Sequence, residues 1–95
     1  MSPTVTVRHE REASRFAATV DGHECELDYR LDGGVLTILH TGVPSAVGGR
    51  GIAAELTRAT VEFARAEGLK VYPACSYAAV YFRRNPQYSD LLVKL

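Results

Sequence analysis

HTGVPSAVGGRGIAAEL, residues 40–56, holds the change of pattern on which the fold turns. The residues leading into it, VLTILHTGV (35–43), are β-branched and apolar enough for a central strand. Pro44, with no N–H to donate, closes that ladder. Three glycines then fall within four residues, Gly48, Gly49 and Gly51. From Gly51 the period changes: Ile52, Leu56, Ala59 and Phe63 recur at helical spacing, with Glu55, Arg58, Glu62 and Arg65 on an adjacent polar face. Gly68 stands where a helix of this length would stop. LKVYP (69–73) then reads as a short strand. A helix of about sixteen residues between two strands allows them to pair in parallel, as a βαβ crossover.

Upstream of residue 35 the pattern has period two. TVTVRHE alternates Val5, Val7 and His9 against Thr6 and Arg8. RFAATV runs into Asp21-Gly22, a tight-turn signal. HECELDYRL alternates Cys25, Leu27, Tyr29 and Leu31 against Glu24, Glu26, Asp28 and Arg30, and Asp32-Gly33-Gly34 turns the chain again. Consecutive hairpins predict an antiparallel meander of four strands. Downstream, a second helix is expected over Ser76 to Arg84, closed by Asn85-Pro86, and QYSDLLVKL adds a final turn or strand. The predicted order is β-β-β-β-α-β-α, an α/β (α+β) mixed sheet with helices behind it, in one domain spanning residues 1–95.

Composition bounds the function. A chain of 95 residues buries roughly 60–70% of its unfolded surface, enough to fold without staples. Eleven basic and eleven acidic residues cancel, so neither nucleic acid nor an anionic membrane is an expected partner. No 18-residue apolar run or secretory pattern is present, and a cytoplasmic protein is expected, monomeric or weakly dimeric. Cys25 and Cys75 form no C-x-x-C pair and are read as reduced thiols. His23 and Cys25 supply too few ligands for zinc, so no metal is expected.

A strand leading through glycines into a helix N-terminus is a place to bind phosphate, because the first helical N–H groups lack intrachain partners. The G-x-x-x-x-G-K-[ST] pattern fails, since no Lys-Ser or Lys-Thr follows the glycines. Gly49-Arg50-Gly51-Ile52-Ala53-Ala54 matches the dinucleotide fingerprint literally. Its context is wrong, with no acidic residue closing the next strand and only one βαβ unit.

Three segments together resemble a known family. They are the strand end His40-Thr41-x-Val43-Pro44, the turn Gly49-x-Gly51-Ile52-Ala53, and Cys75-Ser76-Tyr77-x-x-x-Tyr81 after the last main strand. This chain is similar, over about residues 16 to 92, to the small GNAT-like members of the GNAT acetyltransferase superfamily. The resemblance implies a GNAT-like fold that binds acetyl-CoA (coenzyme A) and transfers acetyl to an amine, either a small amine or an exposed lysine. The alternative is a non-catalytic acyl-CoA-binding or protein-interaction module. The implied CoA contacts are Thr41, Val43, Gly48, Gly49, Arg50, Gly51, Ile52, Ala53 and Ala54. Gly48 stands where the family carries Gln or Arg, and Arg50 inside the turn is expected to supply charge instead.

Three residues are candidates for chemistry. Cys75, at the strand-to-helix junction, reads as a nucleophile, a contact to the pantetheine arm, or an inert thiol. His40, alternating with Ile38 and Leu36 on one strand face, reads as a base or as a hydrogen-bonded structural histidine. Tyr81, one residue before the family's aromatic position at Phe82, is a candidate acid. Tyr77 shares its helix face and reads as packing. Arg83 and Arg84 read as CoA-phosphate contacts or as cations at a helix C-terminus. His9 and His23 read as surface residues.

Overall fold

The hairpins form as the turn signals predict. A computed structural model describes residues 5–93, and its strands are β1 (Arg8–Glu10), β2 (Arg15–Val20), β3 (His23–Asp32), β4 (Val35–Gly42) and β5 (Lys70–Pro73). They lie in chain order in one sheet. The first four are antiparallel, and β5 joins β4 in parallel. Helix α1 (Ile52–Ala66) makes the crossover, and α2 (Ser76–Arg84) follows β5. A 3₁₀ segment, Pro86–Leu91, precedes a single bridge from Leu92 to Val71. The tail was expected as a turn or strand and forms the 3₁₀ turn with this one bridge; residues 94–95 lie outside the described residues, as does residue 4 of the first expected strand.

β1 is shorter than its alternation suggests. Val5 to Val7 precede the ladder instead of joining it. A cavity of about 230 Å³ lies beside this segment, lined by Val5, Thr6, Thr19, Val20, Asp21 and, from the glycine turn, Arg50 and Ile52.

The core lies between one sheet face and the helices. Phe16, Cys25, Leu27, Tyr29, Leu36, Ile38 and Val71 meet Ile52, Leu56, Val61 and Ala64 of α1 and Ala78, Tyr81 and Phe82 of α2. On α1 the buried stripe is rotated from the one expected. Thr57 and Thr60 are fully buried, while Ala59 and Phe63 lie at its flank. The threonines can be buried because each hydroxyl donates to a carbonyl four residues back, Ala53 O and Leu56 O, at 2.8 Å. Gly68 ends α1 in a Schellman arrangement: its φ is +69°, its N–H reaches Arg65 O, and Leu69 N–H reaches Ala64 O at 2.8 Å.

His9 is not a plain surface residue. Its ring stacks on Phe16 at 4.0 Å, meets the Phe63 ring edge-on at 4.5 Å, and shares a 2.6 Å hydrogen bond with the Tyr29 hydroxyl. Burial, and secondarily Arg11, lowers its pKa. His23 is exposed, as read.

Candidate functional site

The site begins where β4 and β5 part. Their parallel register runs from Val35 with Lys70 to Ile38 with Pro73. Cys75 N–H then donates to Ile38 O at 3.1 Å and the chain turns into α2. β4 continues to Gly42 with β3 alone, so its last residues border a cleft at the start of α2. Across that cleft Thr41 Oγ1 lies 3.7 Å from Cys75 Sγ. Cys75 is the N-cap residue of α2 and is half-buried.

A bulge sits in β4 at the same level. Tyr29 pairs with Ile38 and Asp28 with His40, which leaves Leu39 as the extra residue. A bulge reverses the faces that follow it. Thr41, opposite Leu27, therefore takes the helix side, and His40, opposite Asp28, takes the open face of the sheet. His40 does not share a face with Leu36 and Ile38, as strict alternation implied. Its side chain is 61% exposed and its Nε2 lies 3.9 Å from Glu26 Oε1.

The glycine turn forms a cradle beyond the end of β4. Gly49 and Gly51 adopt φ of +78° and +75°, and a Cβ on either would meet nothing within 4 Å. Both therefore face open space, and their need for glycine is conformational. Gly51 caps α1 without a side chain, and the first helical hydrogen bond runs from Glu55 N–H to Gly51 O. The amides of Ile52, Ala53 and Ala54 precede that bond, at the positive end of the helix dipole. A pocket of about 250 Å³ lies here, walled by Val43, Gly48, Gly49, Gly51, Ile52, Ala53, Ala54 and Tyr77. This lining suits a diphosphate, with backbone donors, a glycine surface and no acidic side chain.

A second cavity of about 290 Å³ shares Ala54 and Tyr77 with the first and runs between α1 and α2 past Arg58, Tyr81 and Arg84. Tyr77, read as packing, thus stands on both walls, and its i, i+4 spacing from Tyr81 was the available signal. Tyr81 is 8% exposed and stacked on Tyr88, and burial is the chief cause that pushes its phenol up to about 12. Arg83 is exposed and lines neither cavity. Arg50 is placed differently from expectation: it pairs with Asp21 on the β2–β3 turn and lines the cavity beside β1 instead of the cradle. The acidic partner at that turn diverts it.

A bulged strand, a neighbouring strand that parts from it and a glycine-capped crossover helix together define a mixed α/β fold of the GNAT type. The chain belongs to the GCN5-related N-acetyltransferase family, whose model matches residues 15–91. Among curated relatives, Protein NATD1 of Xenopus tropicalis is 35% identical, over 96% of this chain and 88% of the relative. Protein NATD1 of Homo sapiens is 36% identical, over 93% and 82%. A GCN5-like protein from Staphylococcus aureus, solved in solution by NMR, superposes with a TM-score of 0.75 at 30% identity, covering 95% of this chain and 89% of that one.

Proposed function

We propose that the protein binds acetyl-CoA and transfers the acetyl group to an amine, a small amine or an exposed lysine, as one catalytic domain working in the cytoplasm. The observation that carries this reading is the glycine cradle placed at the mouth of the β4–β5 cleft. The amides of residues 52–54 and the backbone of Gly48, Gly49 and Gly51 hold the diphosphate. Thr41 and Val43 flank the arm that enters the cleft, and Arg84, with Arg83 beyond it, faces the terminal phosphate. Arg50 braces the turn through Asp21.

Acetyl transfer needs an oriented thioester, a proton acceptor for the amine, and a proton for the leaving thiolate. His40 is the proton acceptor. Cys75 lies where the thioester ends and serves as a contact to it, or as a nucleophile that carries the acetyl group first. Tyr81, which keeps its proton to about pH 12, is a donor at the cavity wall and not a base. A second reading, an acyl-CoA-binding module without turnover, draws on the open sheet face, where the His40 side chain is 61% exposed.

Amide NMR spectra recorded with added acetyl-CoA test the proposal. The expected shifts concentrate at residues 41–54 and 75–77 and saturate. Shifts confined to other parts of the chain, or none, would contradict it.

A further inference from the structure

Glu26 has no role in the account above, yet the fold brings its carboxylate to His40. The bulge at Leu39 puts both on the open sheet face. Gly42 stands opposite Glu26 in the ladder, and a Cβ there would lie 2.9 Å from Glu26 Oε1 and 3.0 Å from His40 Nε2. Gly42 has no positive φ, so its backbone does not require glycine. What the missing Cβ leaves is room for the two side chains to approach. The other charged groups on this face near His40 are Asp28, Glu24 and Arg30, the last on β3 opposite Thr37. Asp28 is held by Arg15 Nε at 2.8 Å, Glu24 by Arg8 at 2.9 Å, and from β5 only Tyr72 shares this face near the bulge.

We infer that Glu26 is a positioning residue for proton transfer, holding the His40 imidazole over the bulge. The inference rests on the acetyl-transfer reading. At 3.9 Å the contact is too long for a hydrogen bond and acts as a charge pairing, which strengthens when His40 becomes positive. His40 takes one proton from the acceptor's ammonium group. The freed nitrogen lone pair forms the C–N bond to the thioester carbonyl carbon as the C–S bond breaks. The sulfur leaves as thiolate and takes the amine's second proton, and the imidazolium releases the first to solvent.

The test measures acetyl-CoA turnover with an Nα-blocked lysine amide as acceptor, alongside ring-nitrogen NMR of His40, in the wild type and three variants. Glu26→Gln removes the charge, Gly42→Ala crowds the pair, and Glu24→Gln removes a neighbouring charge as a control. The expected result is a fall in kcat of about tenfold in the first two, with the acetyl-CoA KM unchanged and the His40 ring signals displaced, and no comparable fall in the control. Turnover of Glu26→Gln within about twofold of wild type overturns the inference, as do unmoved His40 signals or an equal loss in Glu24→Gln. Acetyl-CoA binding without turnover in the wild type also overturns it and leaves the binding reading intact. No acetyl-CoA binding at all removes the reading beneath it.

Discussion

Two glycines three residues apart in the same turn answer to different constraints. Gly51 is left-handed at φ +75°, whereas Gly48 is extended at φ −66°, ψ 157°. Gly51→Ala is expected to cost about 1–2 kcal/mol, read from the denaturation midpoint, because an L residue is strained there. It also places a methyl group at the cradle, and a rise in acetyl-CoA Kd of about tenfold is expected. Gly48→Ala is expected to be neutral or stabilising by up to about 1 kcal/mol. Equal losses in both would contradict this account of the turn. Tyr81 gives a second test. Its folded pKa, about 12, lies above the ordinary tyrosine value, so burial favours the neutral phenol. The stability it contributes is complete below about pH 10 and is lost as pH rises towards 12. Tyr81→Phe should therefore resist alkaline unfolding better than wild type, measured by near-ultraviolet dichroism. An unchanged alkaline midpoint would contradict the desolvation argument.

At the scale of elements, the β1 edge depends on one aromatic cluster. His9 links β1 to Phe16 of β2, Tyr29 of β3 and Phe63 of α1, and Arg11 lies 5.1 Å over the Phe63 ring. The folded pKa of His9 is lowered, so protons bind the unfolded chain more readily. Its contribution is present above about pH 6.5 and is lost as pH falls below that value. A His9→Phe variant should lose this acid slope in its unfolding free energy between about pH 7 and 5, and an unchanged slope would contradict the assignment. Neither this cluster nor the bulge was legible in the sequence. Alternation placed His40 with Ile38, and no local residue announces that Leu39 is the extra one. The slip belongs to the pairing of Asp28 with His40 and Tyr29 with Ile38, a tertiary fact. The helices and turns were legible because Gly68, Pro44 and the run of glycines each act through their own backbone.

For the whole molecule, the order of elements followed from the switch of period at Gly51, since a crossover helix in this sheet requires β5 to return in parallel. The cradle was legible for the same reason, being made of backbone. Side-chain roles were less so. Arg50 is drawn to Asp21, 29 residues away in sequence, a choice that the turn itself does not encode. Tyr77 lines two cavities only once α1 and α2 lie side by side. The proposed chemistry requires that this backbone cradle hold an acyl-CoA. Calorimetric titration of acetyl-CoA into the folded protein, with NAD as the control ligand, tests that premise most directly. The account predicts saturable heat with acetyl-CoA and none with NAD. A folded sample that gives no heat with acetyl-CoA, or an equal response to NAD, would contradict it.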